Sequence, residues 1–184
     1  MRQQPPPGAT PRILHIAVDG ACSEGIFLSF RCRRWQSKEK RRQMIRKYDM
    51  ADLSELLDVW HDAAQVAHPF WTHDFLEQER SEISRKFLPI AETWVFEREG
   101  RVVGFIALLD NEVGGLFVAP AHQRQGIGRA LMDHAGESRD HLELEVFEDN
   151  KTGRGFYNAY GFTTVGGRLD EETGLRLLRL RLDC

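Results

Sequence analysis

The chain has 184 residues, 41% hydrophobic and 29% charged, ordinary values for about one globular domain that exclude a wholly disordered, collagen-like or disulfide-stapled protein. The formal charge of −3 hides a division: residues 1–43 hold nine Lys/Arg and three acids, a balance of +6, whereas residues 44–184 hold 16 basic and 25 acidic residues, a balance of −9. Cys22 and Cys32 lie in the basic segment and Cys184 is last, so the segment between needs no disulfide and offers no thiol nucleophile, which fits a cytoplasmic address. No apolar run approaches the ~20 residues of a membrane-spanning helix.

Residues 1–43 open with RQQPPPGATP and close with RCRRWQSKEKRR. Neither stretch holds a period of 2 or 3.6, so a poorly ordered basic extension is expected ahead of a domain over 44–184. The extension with Trp35 is open to several readings: a solvated tail, a contact for an anionic surface, or sequence upstream of a start at Met44. From Met44 the pattern is regular. MIRKYD alternates as a short strand, and Asp49 stands at an N-cap position with Asp52 in the first turn. Leu53, Leu56, Leu57, Trp60, Ala63, Ala64 and Ala67 then recur at helical spacing, which predicts a helix from about Met50 to Ala67. A second helix, capped by Thr72 or Asp74, carries Phe75, Leu76, Ile83 and Phe87 and stops before Pro89.

Beyond Pro89 the period switches to 2. TWVFE and RVVGFIALLD read as a hairpin around a glycine turn, and NEVGGLFVAP as a third strand whose Gly114 and Gly115 mark a bulge or a close approach to the backbone. A helix over about Gly126 to Ala135, a strand LELEVF, a short helix over about Lys151 to Tyr160 and a closing pair FTTVGGR and LRLLRLRL complete the order β α α β β β α β α β β. Hairpin strands interrupted by βα units indicate a mixed α/β (α+β) sheet with helices on its faces.

The segment GLFVAPAHQRQGIGRALMDHA, Gly115 to Ala135, is the most informative. Gln125, Gly126, Ile127, Gly128 and Arg129 present successive N–H groups at a helix start, where orphan donors and the dipole favour an anion such as a diphosphate. Gly126 and Gly128 admit close approach, and Arg124 and Arg129 add charge. A Walker loop is excluded because no Lys and hydroxyl residue follow Gly128, and a dinucleotide fingerprint because Leu131 stands where a third small residue is needed. Gln/Arg-x-x-Gly-x-Gly/Ala remains, matched by Gln123, Gly126 and Gly128. Twenty-two residues beyond Gly128 lies Asn150, followed by GFYNAYGF.

This pairing resembles the GNAT superfamily of N-acetyltransferases, over roughly Met44 to Leu182 and including the order of elements. The resemblance implies the acyl-CoA N-acyltransferase fold, a mostly antiparallel sheet of about six to seven strands with helices on both faces, and acetyl-CoA as co-substrate. It further implies roles by position. Phe117 and Val118 lie on the strand that would pair with the pantetheine arm, Val118 N–H facing the oxyanion. Gln123, Arg124, Gln125, Gly126, Ile127, Gly128 and Arg129 form the diphosphate turn. Asn150 matches the residue that bonds pantetheine, and Tyr157 the general acid for the departing thiolate. Glu112, fourteen residues before Gly126, is the preferred base, with His61, His68 and His73 as alternatives.

The expected activity is acetyl transfer to a primary amine by direct attack; the competing reading is a non-catalytic acyl-CoA-binding module whose basic tail engages a partner. No metal is expected, because the spacings of His61, His68 and His73 match no zinc signature. Trp60, Phe70, Trp71 and Phe75, with Asp170, Glu171 and Glu172, either surround a cationic acceptor or serve as core and solvated turn. Tyr160 is expected to pack in the core rather than act in catalysis. The partner is a small-molecule or peptide amine, with no membrane, nucleic acid disfavoured, and a monomer or homodimer.

Overall fold

The computed structural model describes residues 43–68, 71–171 and 173–184. The expected basic extension therefore lies, apart from Gln43, outside the described residues, as do Phe70 and the Glu172 side chain. Strand β1 (Gln43–Lys47) leads through a 3₁₀ turn, Met50–Asp52, into helix α1 (Leu53–Ala67). Its start is closed reciprocally: Asp49 Oδ1 accepts from Ala51 N–H, and Asp52 Oδ2 from Asp49 N–H, both at 2.9 Å. The Arg46 guanidinium donates to both Asp52 oxygens at 2.7 and 2.8 Å, and that bond holds the Asp52 carboxyl below its usual range. Strand, turn and helix are thereby locked together within a few residues.

Helix α2 (His73–Glu82) is capped by Thr72, whose hydroxyl accepts from Phe75 N–H at 3.3 Å, and it continues into a π-helical turn over Ile83–Phe87. β2 (Glu92–Arg98) and β3 (Arg101–Leu109) form the expected hairpin. Its two turn residues, Glu99 and Gly100, both have positive φ, 54° and 79°, the I′ geometry that matches strand twist. β4 (Glu112–Val118), α3 (Ile127–Gly136) and β5 (His141–Phe147) make one crossover unit. α4 (Lys151–Tyr160), β6 (Thr163–Leu169) and β7 (Arg176–Asp183) finish the chain.

The seven strands lie in the order β1-β2-β3-β4-β5-β7-β6. All neighbours are antiparallel except β4 and β5, which are parallel because α3 crosses between them. Both faces of the central strands are apolar. Phe105, Ala107 and Phe117 face α1 and α2 together with Leu56, Trp60 and Phe87. Ile106, Leu108, Leu116 and Val118 pack on the other face with Ile127 and Leu131 of α3 and Phe156 and Tyr157 of α4. Alternation on buried strands thus supplies two cores from one sheet, as expected for helices on both faces.

Gly114 is the bulge. Gly115 pairs with Ala107 and Val113 with Leu108, so Gly114 has no partner on β3. A Cβ there would lie 2.3 Å from Cζ of Phe87, whose ring is buried. The π turn that ends α2 therefore packs onto the β4 backbone at the point where that strand bends. Gly114→Ala is expected to destabilise the protein by about 1–3 kcal/mol through overpacking. Urea unfolding with an unchanged midpoint would show that Phe87 yields freely.

His68, at the end of α1, is buried, stacks on Trp71 at 4.1 Å and meets the edge of Phe147 at 5.6 Å between ring centroids. Burial pushes its pKa down to about 4. The unfolded imidazole takes a proton near pH 6.5 and the folded one resists until about 4, so this stabilisation is complete above pH 6.5 and is lost as pH falls through that window. The loss amounts to about 3 kcal/mol. Melting curves at pH 7.5 and 5.0 are expected to separate much less for His68→Phe than for the unaltered protein; equal separation would exclude His68 as the source.

Candidate functional site

The site begins where two strands part. β4 and β5 pair at one position, Glu112 with Glu143, where Glu143 N–H also donates to Asn111 O at 2.9 Å. Beyond the Gly114 bulge no further ladder pairs join the two strands among the described residues. The parity of the open edge follows from one bond. Ala119 N–H donates to Val103 O at 2.9 Å, so Ala119 and Phe117 direct their backbone groups to β3, and Leu116 and Val118 direct theirs to the β5 side. Val118 O is held by the Gln123 side-chain amide at 2.9 Å.

This arrangement sharpens the sequence reading. Val118 N–H lies on the open edge. Phe117 does not present its N–H there; its ring stacks on Phe105 at 5.2 Å in the core beneath α1. Leu116, which the sequence reading passed over, shares the edge with Val118. The signal for it was the bulge, which resets which residues of the strand face which neighbour.

The turn after β4 is built to expose N–H groups. A 3₁₀ turn, Pro120–His122, leads through Gln123 to Arg124 and Gly126, which have φ of 61° and 81°. Gly126 is the N-cap of α3, no side chain caps that helix, and the position of a Gly126 Cβ is open space. Arg124, Gln125, Gly126 and Arg129 are exposed, while Ile127 and Gly128 are buried. Gln125 is steadied from β2, its Oε1 accepting from Arg98 Nη1. Arg129 lies over the Tyr160 ring at 5.2 Å, and the Tyr160 hydroxyl donates to Asp133 at 2.6 Å. Tyr160 thus joins α4 to the first turns of α3, a link that spacing alone did not reveal.

Asn150 is the N-cap of α4 and is buried. Its Oδ1 accepts from Gly153 N–H at 2.8 Å, and a Cβ on Gly153 would come within 2.8 Å of the Asn150 amide. Its visible work is to set the start of the helix that bears Tyr157. Tyr157 is fully buried between Phe156 and Phe162, and its hydroxyl has no hydrogen-bond partner among the described residues. Burial drives its pKa far above the usual phenol value, so the hydroxyl keeps its proton throughout the physiological range and offers it as a hydrogen-bond donor. An orphaned buried hydroxyl costs about 1–3 kcal/mol. It suits a site whose occupant supplies the acceptor.

The other candidates are scattered. Glu112 is exposed at the start of β4. Trp60 is core, and Asp170 is a buried turn residue whose Oδ2 accepts from Thr173 N–H and hydroxyl at 3.0 and 2.8 Å. Trp71 and Phe75 remain together, their centroids 5.0 Å apart and both half-buried. His61 and His73 come together, but without His68.

Residues 61–184 match the acetyltransferase (GNAT) domain family. The peptidyl-lysine N-acetyltransferase YiaC of Escherichia coli K12 is 32% identical over 133 residues, covering 72% of this chain and 91% of that protein. The solution structure of apo YjaB from Escherichia coli matches with a TM-score of 0.67 at 30% identity, over 76% of this chain and 96% of that one. The PaiA N-acetyltransferase of Thermoplasma acidophilum, crystallised with coenzyme A, has the same fold, with a TM-score of 0.61 at 19% identity, over 74% of this chain and 97% of that one. By the family match over residues 61–184 and the 32% identity with YiaC, the chain belongs to the GNAT acetyltransferase family and is an acyltransferase.

Proposed function

We propose that the protein transfers acetyl from acetyl-CoA to the amine of a lysine side chain in a peptide or protein, by direct attack within a ternary complex. The observation that carries this reading is the Tyr157 hydroxyl, buried and without a partner among the described residues, in the same apolar cluster as Leu116 and Val118 of the open β4 edge. A binding module has no use for such a donor. The lysine acceptor is supported by the names of YiaC and YjaB, both peptidyl-lysine N-acetyltransferases, and by the balance of −9 over residues 44–184, which favours a cation.

Acetyl-CoA supplies the activated acyl group as a thioester. The chain contributes position and protons. Leu116 and Val118 offer edge N–H groups to the pantetheine amides and to the carbonyl oxygen as it gains charge. The N–H groups from Gly126 to Arg129 and the charges of Arg124 and Arg129 hold the diphosphate. Tyr157 donates its proton to the leaving sulfur, and Glu112 accepts the amine proton through water. No covalent enzyme intermediate is needed.

Tyr157→Phe is expected to lower kcat by ~10²-fold or more while leaving acetyl-CoA affinity within a few-fold. Free thiol release with a lysine peptide would measure the first and calorimetry the second; an unchanged kcat removes Tyr157 from the mechanism. Gly128→Asp is expected to abolish acetyl-CoA binding by placing a carboxylate against the diphosphate, and retained affinity would move the cradle elsewhere. If acetyl-CoA raises the melting temperature yet no peptide or small amine gives thiol release above the blank, the protein is the binding module instead.

A further inference from the structure

Among the described residues, one group of side chains outside the β4 site has its ligand atoms gathered: His61, His73 and Glu77, all within 4.8 Å of one another. It is made by two helices. His73 and Glu77 stand one turn apart on α2, and His61 and Gln65 one turn apart on α1. Arg80 and Asp58 form an ion pair at 2.8 Å one turn further along each helix in opposite directions. The register of α1 against α2 is therefore fixed by packing and by that ion pair, independently of any ligand at the histidines.

The first ligand is already oriented. His61 Nδ1 lies 3.7 Å from an Asp62 oxygen, and its Nε2 lies 3.2 Å from the Gln65 amide nitrogen. With the ring proton on Nδ1, on the side of the carboxylate, the Nε2 lone pair accepts from the Gln65 amide, and a metal ion would take that lone pair in the amide's place. His73 and Glu77 are exposed and free to turn, so the three ligand atoms can close from 4.8 Å to the roughly 3.3 Å that separates ligands around a tetrahedral ion with bonds of about 2.0–2.1 Å. Two imidazoles and one carboxylate suit zinc, whereas magnesium and calcium prefer all-oxygen shells.

We propose that His61, His73 and Glu77 bind a Zn²⁺ ion, with water completing the shell, and that the ion pins the start of α2 to the last turns of α1. The proposal rests on no step of the acetyl-transfer chemistry. The expectation of no metal considered histidines along the chain, where spacings of seven and five residues match no signature. The fold draws the ligands from two helices, adds Glu77, and excludes His68 by stacking it on Trp71.

The test is zinc titration by calorimetry of the full chain carrying Cys22→Ser, Cys32→Ser and Cys184→Ser, so that no thiol competes. One ion per chain is expected, with a dissociation constant of about 10 µM or tighter. His73→Ala and Glu77→Gln should each weaken binding at least tenfold without changing the circular dichroism spectrum. Zinc should raise the melting temperature of the parent and not of His73→Ala. Binding weaker than about 100 µM in the parent, or equal affinity in parent and both variants, would overturn the proposal.

Discussion

A strand in the middle of a sheet has two edges of N–H and C=O groups, and each group buried without a partner costs about 1–3 kcal/mol. β4 is such a strand, and after Glu112 it stops pairing with β5. Much of the architecture holds that gap open at tolerable cost. The Gly114 bulge bends β4 under the ring of Phe87. β7, not a return of β4, occupies the far edge of β5 over its whole length, from His141 to Phe147. Gln123 reaches back to take the carbonyl of Val118. The edge is left with backbone groups that an extended, amide-bearing ligand could satisfy, as the proposed function requires.

The four helix starts show the same economy from the opposite side. Asp49 closes the entry to α1, Thr72 that of α2 and Asn150 that of α4, each through a side-chain oxygen on a backbone N–H. α3 begins at a glycine with left-handed φ and no cap. Its orphan donors, with Arg124 and Arg129 beside them, form a local positive site on a domain whose overall balance is −9. Tyr160 fixes part of that site by lying under Arg129 while bonding to Asp133 of the same helix. On the proposed function, a domain with an acidic field would thus hold an anionic donor locally and still attract a cationic acceptor.

What the chain reveals unaided is whatever is local. The caps Asp49 and Thr72, the turn holding Gly100 and the glycine run after β4 are written in adjacent residues, and each is found where its chemistry places it; the cap Asn150 was not read as one. The bulge was equally legible, because paired glycines in a strand have few other uses. Features that depend on register were not legible. Nothing in FTTVGGR or LRLLRLRL dictates that the second of these strands inserts between the first and β5. The parity that puts Leu116 rather than Phe117 on the open edge depends on which single residue is bulged. The grouping of His61 with His73 and Glu77 depends on how α1 lies against α2. Trp60 and Asp170 were readable either as site or as scaffold; Trp60 of α1 packs in the core, and Asp170 spends an oxygen on the Thr173 turn.

The proposal of Glu112 as base turns on the same contrast between burial and exposure. His68 sits at the end of α1 against Phe147, the last residue of β5, which looks favourable by position. Its burial counts against it: the ring is packed away from solvent, and desolvation disfavours the protonated form that a base must reach. Glu112 is exposed at the closed end of the gap, directly opposite Glu143. Glu143 is itself committed, its oxygens bonded to Arg179 and Arg181 and its carboxyl thereby held below the usual range. Of two neighbouring carboxylates, one is locked in an ion-pair network and the other faces water. A proton relay through solvent needs the second kind.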